Sequence, residues 1–364
     1  MTADIYRRLA DHVAALEMNP PREGLEEVLK EVFNPLEAEI ALALPNNLIP
    51  LQPVTVDEIL KRVSISREEL INVLERLAAR GLLFSGRSGD GQIGYALLQR
   101  GFGFAQTPFW KGEKTPTAKK MAELLGNTFF KNTAIEQTYG ATSTKPFQFI
   151  PMHSVLKPDI QAVYSCTMLE KVVEKAKTIA VGHCPCRMRA QLQGRGCNHL
   201  LEVCLKFDEM ADFLVEREIA RPVTKEEALE IIRKSEQDGL VHFVDNALGD
   251  VKHNCNCCGC CCWALGPIRR RQIPRDVVMA TYFIRETDES ECSGCGSCAE
   301  VCPVNAITVI DNVATIDGAW CVGCGICVSA CPNMAAYLKP KSEQIPSSDF
   351  RELHNRIRQE KGDK

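Results

Sequence analysis

Residues 291–309, ECSGCGSCAEVCPVNAITV, and residues 320–338, WCVGCGICVSACPNMAAYL, align without a gap at an offset of 29 positions. Each reads C-x2-C-x2-C-x3-C-P: Cys292, Cys295, Cys298 and Cys302-Pro303 in the first, Cys321, Cys324, Cys327 and Cys331-Pro332 in the second. With that spacing a short loop wraps three thiolates around one face of a 4Fe-4S cube while the fourth reaches across to a second cube. Gapless self-similarity of this kind marks a duplicated supersecondary unit. The glycines repeat as well, Gly294 and Gly296 matching Gly323 and Gly325, where the absence of Cβ lets backbone N–H groups approach cluster sulfurs. A zinc site takes four ligands and has no use for eight cysteines in two halves, each closed by proline.

The repeat resembles the bacterial two-cluster ferredoxin domain, here over residues 286–340. That resemblance implies one cube on Cys292, Cys295, Cys298 and Cys331, and another on Cys321, Cys324, Cys327 and Cys302. It spans a small part of a 364-residue chain, and a chain of that length calls for two or three domains.

Apolar residues at 45% and charged residues at 25% fit ordinary globular domains. No apolar run approaches the roughly 20 residues of a membrane span. The first residues, MTADIYRRLADHVAALEMN, carry acids among their apolar positions and lack a signal-peptide core, so a cytoplasmic protein is expected. In that compartment thiols stay reduced, and 19 cysteines then argue for metal ligation over disulfides. A net charge of −4 gives no broad attraction for nucleic acid or anionic lipid.

In chain order, Ile5, Leu9, Val13 and Leu16 form one face of a first helix, and 25–33 and 36–44 read as two more. Thr55-x-x-Glu58 and Ser66-x-x-Glu69 are capping-box patterns opening two further helices, the second buried through Leu70, Val73, Leu74 and Leu77 and stopped by Gly81. Two short strands follow, 82–84 and 93–97. This order resembles a winged helix-turn-helix domain within residues 1–110. DNA binding would fall to the helix 67–80, but Arg67, Arg76 and Arg80 are balanced there by Glu68, Glu69 and Glu75, which argues against it. Within residues 101–150, of which 111–149 are the connector between domains, the stretch GFGFAQTPFWKGEKTPT reads as extended, with Phe102, Phe104, Phe109 and Trp110 pinning it to a core or, alternatively, stacking a flat ligand.

Residues 150–285 form a Cys-rich α+β domain. A β-like run at 178–181 leads to His183-Cys184-Pro185-Cys186-Arg187, followed by Cys197 and Cys204; Thr224 caps a helix, and 240–244 reads as a strand. Then comes CNCCGCCC, holding Cys255, Cys257, Cys258, Cys260, Cys261 and Cys262. That run has neither helical nor strand periodicity to bury six thiols as hydrophobes, so metal ligation is the reading. One partition gives Cys184, Cys186, Cys197 and Cys204 to one cube and the run to another; a second mixes the groups; zinc-thiolate ligation is a third. Adjacent cysteines have Cα atoms only about 3.8 Å apart, which favours a polynuclear site. His183, His199 and His253 read as hydrogen-bond partners of the thiols, Cys166 as packing, and Arg269–Arg271 as a counter-charge or a grip on an acidic partner. The tail, 341–364, is highly charged and expected to be mobile or to fold on a partner.

The whole chain resembles multidomain 4Fe-4S proteins of anaerobic bacteria and archaea. The reading is therefore an α+β multidomain electron-transfer protein carrying two 4Fe-4S clusters and one or more further clusters, serving a redox enzyme or electron-carrier partner. Two alternatives stand beside it: a redox-sensing transcription regulator, and a reductase whose catalytic cluster lies in the middle domain.

Overall fold

The computed structural model describes residues 2–16, 23–47, 49–89, 91–99, 103, 105–126, 142–156, 169–277, 279–341 and 346–362. Phe102, Phe104 and Cys166 lie outside them.

The N-terminal helices Thr2–Leu16, Leu25–Val32 and Pro35–Ala43 pack through the expected apolar stripes, Leu9, Val13 and Leu16 meeting Leu25, Val28 and Leu29 in one core. Helices Val56–Leu60 and Arg67–Ala79 start where their caps predict. The hydroxyls of Thr55 and Ser66 accept the N–H of Glu58 and Glu69, and Glu58 also accepts the N–H of Thr55. Gly81, with φ of +64°, ends the second. Strands Leu83–Arg87 and Ile93–Leu97 pair antiparallel, and Val54–Thr55 adds a third strand beside Ile93–Leu97.

This small sheet is fastened to the rest of the chain. Phe84 packs on Phe213 with ring centroids 5.3 Å apart, and Glu75 accepts from Arg217 Nη1 at 2.6 Å. Hydrogen bonds from Arg217 and Tyr95 hold the Glu75 carboxyl below its usual range, Arg217 contributing most.

The connector differs from the sequence expectation. Thr107–Trp110 and Pro116–Leu124 are helices, the second capped by Thr115 with Pro116 in its first turn. Phe109 and Trp110 are fully buried in the N-terminal core, as pinning residues should be.

The middle of the chain is organised by a seven-stranded sheet. Its strand order is Met279–Ala280, Phe147–Ile150, Val241–Asp245, His253–Cys257, Glu202–Phe207, Ile179–His183, Arg221–Pro222. Only the Met279–Ala280 and Phe147–Ile150 pair is parallel. One face carries Ile150, Val244, Leu205, Phe207, Ile179 and Val181, covered by helices Leu169–Lys175 and Lys225–Gln237 through Leu169, Val173, Ala228 and Ile232. The opposite face presents Phe149, Val241, Phe243 and Cys257 to the C-terminal lobe. The first half of the cysteine run is thus a central strand, contrary to the reading of 255–262 as free of strand periodicity. Alternation along it sends Asn254 and Asn256 to one face and Cys255 and Cys257 to the other.

The C-terminal lobe pairs Phe283–Thr287 with Ala336–Pro340 and Ile307–Ile310 with Val313–Ile316. Short helices Ser297–Glu300 and Ile326–Ser329 occupy equivalent places in the two repeats, each preceded by a left-handed glycine, Gly296 or Gly325. The tail does not need a partner to fold. Phe350–Glu360 is an amphipathic helix that buries Phe350, Leu353 and Ile357. Glu360 accepts the Thr144 N–H at 3.0 Å, and Leu248 N–H donates to Ser347 O at 2.8 Å, so this segment docks on the chain's own middle region.

Candidate metal centres

In the C-terminal lobe the two repeats exchange their fourth cysteines. Cys292, Cys295, Cys298 and Cys331 line one cavity, and Cys302, Cys321, Cys324 and Cys327 line the other. The loops are tightly wound because the chain leaves no room for side chains. A Cβ on Gly323, already at φ +66°, would meet Phe283 O at 2.3 Å, and one on its counterpart Gly294, at φ +67°, would meet Asn312 O at 2.6 Å. Backbone N–H groups point at sulfur as an anionic cluster requires: Ala314 to Cys292 at 3.4 Å and Ala306 to Cys302 at 3.2 Å.

Arg285 was not anticipated from the sequence. It is fully buried, lines both cavities, donates through Nη1 to Ala314 O at 3.0 Å, and places Nη2 3.9 Å from Cys298 Sγ. Its Nε has no partner among the described residues. A buried cation with a spare donor between two thiol quartets fits the negative charge of thiolate-ligated clusters. The available signal was an arginine one strand ahead of the repeat, at the inward position between Ile284 and Glu286.

The quartets differ in exposure. Cys295 is exposed and Cys292 and Cys331 half-buried, whereas Cys302, Cys321, Cys324 and Cys327 are all buried. The buried quartet faces the middle region. Met152 N–H donates to Cys324 O at 3.0 Å, Arg275 to Cys321 O, Arg269 to Pro303 O at 3.3 Å, and Arg271 to Val304 O at 3.2 Å. Arg271 also lies over the Trp320 ring, 4.5 Å from its centroid. Arg269 and Arg271 therefore clamp the lobe internally instead of gripping a separate acidic partner.

The ten middle cysteines fall into two groups that cut across both sequence segments. The first is built on the sheet. The register that sets Leu205 opposite Asn254 and Lys206 opposite His253 carries Cys204 opposite Cys255 at the next step, on the face that also bears Cys257. Cys184 and Cys186 come from the start of helix Pro185–Leu192, where Pro185 occupies the first turn. Cys262 completes a chain of neighbouring thiols, Cys184 to Cys186 to Cys262 to Cys257 to Cys255 to Cys204.

Protons are shared unevenly along that chain, with Cys255 and Cys262 lowered and the other four raised. Cys184 is pushed up by hydrogen bonding with Cys186 and by burial, and Cys204 by Cys255 and burial. Cys255 is pulled well down by hydrogen bonds from Cys204 and Cys257. Burial opposes ionisation of Cys262, yet hydrogen bonds from Cys186, Cys257 and the N–H groups of Leu265 and Ala264 bring it down to about 5. Crowded thiols hold one another protonated, so all six become thiolates only with a metal among them.

Arg187 balances this site. It is fully buried, donates to Asn256 O at 3.0 Å, and leaves Nε and Nη2 without partners among the described residues. Burial disfavours its charge, but Cys184, Cys258 and Cys257 outweigh that and raise its pKa.

The second group is Cys197, Cys258, Cys260 and Cys261, whose sulfurs all lie within 4.8 Å of one another. Cys260 and Cys261 share it although adjacent in sequence, and Cys257 and Cys258, also adjacent, are divided between the two groups. Of the three histidines, His183 lies 3.3 Å from Trp110 O and His199 3.2 Å from Asp238. His253 sits between Asp245, 3.0 Å away, and Cys255; burial lowers its pKa, but Asp245 outweighs it and carries the ring to about 9.

Among curated proteins and among solved structures, none matches the chain. The model of the 4Fe-4S binding domain family matches residues 286–308 and 314–337, so the lobe whose thiols line the two cavities is a 4Fe-4S binding domain of two repeats.

Proposed function

We propose that this chain is an electron-transfer protein. In this reading two ferredoxin-type clusters, one on Cys292, Cys295, Cys298 and Cys331 and the other on Cys302, Cys321, Cys324 and Cys327, lead from the surface to a further iron-sulfur centre. That centre takes Cys184, Cys186, Cys204, Cys255, Cys257 and Cys262. The observation that carries the proposal is the graded burial of the three groups: an exposed Cys295, then an enclosed quartet, then Cys255, Cys257 and Cys262, which share one apolar core with that quartet. When bound, such clusters supply single-electron storage, at potentials between about −700 and +450 mV.

The chain's own residues hold the path together. Arg285 stabilises added negative charge on either side of it, and Arg269, Arg271 and Arg275 fix the enclosed quartet against the sheet. Phe149, Phe243 and Val322 keep water from the interior stretch. The partner, a redox enzyme or carrier protein, docks where Cys295 is exposed. Asp288, Glu289, Glu291 and Glu300, within seven positions of Cys295 in the chain, are exposed acids, which suits a basic partner rim.

Protein contact is the role proposed for the N-terminal region. Its helix Arg67–Ala79 spends Arg67 on Asp57 and Glu75 on Arg217, while Arg80 pairs with Glu37 at 3.0 Å. Little of its positive charge is then left for phosphate.

Anaerobic iron and sulfide analysis, combined with electron paramagnetic resonance during stepwise reduction, tests the reading. Expected are more irons than the eight of two cubes and at least three one-electron signals. Iron confined to the C-terminal lobe, with the six sheet thiols metal-free, would end it.

A further inference from the structure

We propose that Cys197, Cys258, Cys260 and Cys261 bind a single zinc ion in a closed four-thiolate site, separate from every iron-sulfur centre of the chain. The distances carry this. Cys197 Sγ is 3.9 Å from Cys258 Sγ and 3.7 Å from Cys261 Sγ, and no pair in the group exceeds 4.8 Å. Four thiolates about 2.3 Å from one tetrahedral zinc are about 3.8 Å apart. A cube would push them further apart, because each thiolate then binds a different iron at an outer corner. Among the described residues the cubane-type quartets of the C-terminal lobe form no such close group.

The backbone is built for this arrangement. Three of the thiols come from one four-residue loop, Cys258-Gly259-Cys260-Cys261, which is pressed against the C-terminal lobe: a Cβ on Gly259 would lie 2.0 Å from Pro303 O. Only glycine allows that approach, and the contact fixes how the loop presents its sulfurs. Cys197 arrives from the segment between helix Pro185–Leu192 and strand Glu202–Phe207. One divalent ion would convert all four to thiolates, and Arg187 and Arg189 stand beside Cys258 and Cys261 to offset the resulting charge.

Tetrahedral all-thiolate donors suit zinc or iron, and at equal availability zinc binds more tightly than ferrous iron. With four protein ligands no position is open, so the ion acts as a brace. It ties the Cys197 segment to the Cys258–Cys261 loop, which abuts Pro303 beside the Cys302 turn of the enclosed quartet.

Metal analysis of the full chain, purified with both iron and zinc available, is the test. The expected result is one zinc per chain, lost in Cys197→Ser and in Cys260→Ser while iron content and the reduced-state resonance signals stay at wild-type levels. Should those variants fail to accumulate, X-ray absorption at the zinc edge of the wild type decides, with four sulfur neighbours at about 2.3 Å expected. Absence of zinc from the wild type, mononuclear iron in its place, a zinc shell containing nitrogen or oxygen, or loss of a cluster's worth of iron in Cys197→Ser would each overturn the assignment. The zinc assignment does not depend on the electron-transfer reading, since iron in the six sheet thiols is counted separately.

Discussion

Arg285 Nη2 stands 3.9 Å from Cys298 Sγ, and the same guanidinium lines the cavity of the neighbouring quartet. One buried positive charge is therefore shared by two candidate clusters, and each gains negative charge on reduction. A cation in that position favours the reduced form of both.

Replacing Arg285 by Leu should lower both cluster potentials, by on the order of 50–100 mV for a charge close by at intermediate dielectric. Redox titration followed by electron paramagnetic resonance reads this directly. Arg285→Lys keeps the charge and should recover most of the shift. A change confined to one cluster would show that the cation is not shared.

Crossed ligation makes a second prediction. Cys302→Ala should remove the cluster whose other ligands are Cys321, Cys324 and Cys327, and Cys331→Ala the one whose other ligands are Cys292, Cys295 and Cys298. Iron content should fall by about four per variant. If Cys302→Ala instead disturbs only the signal of its own repeat, the cavity linings mislead.

The docked C-terminal helix should respond to acid. Burial holds the His354 ring down at about 4, against its ordinary 6.5, with Asp245 opposing and Arg358 adding to the effect. A histidine depressed on folding contributes no penalty above pH 6.5, and its stability deficit grows as pH falls from there toward 4. Between pH 7.5 and 5.5 helix Phe350–Glu360 should lose about 1 kcal/mol of docking stability. Hydrogen exchange of its amides at the two pH values measures this. His354→Phe should abolish the difference, and an unchanged pH response in that variant would assign the effect to another group.

Features set by local chemistry were legible in the sequence. Thr55, Ser66 and Thr224 cap helices because an N-cap needs only its own next three residues, and each accepts the N–H three positions on. The ferredoxin repeat was legible for the same reason, since three ligands of each quartet lie within seven residues. Thr115-Pro116 was an equally local start signal, overlooked because the aromatics before it suggested an extended connector. The helix beginning at Phe350 was hidden by its charges, although Phe350, Leu353 and Ile357 keep helical spacing.

The sorting of the middle cysteines was not readable. It depends on which strand pairs with His253–Cys257 and in what register, a relationship between residues about 50 positions apart. A one-residue slip would reverse the faces of Cys255 and Cys257 and dissolve the group. Arg285 was obscured for a related reason: its position between the quartets follows from the pairing of Phe283–Thr287 with Ala336–Pro340.

The contact of Gly259 with Pro303, the arginine clamps on Val304 and Cys321, and the return of the chain through helix Phe350–Glu360 moor the C-terminal lobe on both its entering and its leaving side. A lobe tethered only by a linker could swing between donor and acceptor, with its turnover set by solvent viscosity. This one is a fixed terminal. On the electron-transfer role proposed above, throughput would depend on how often a partner arrives at and departs from Cys295, so ionic strength, which screens that encounter, would govern the rate where viscosity inside the molecule would not.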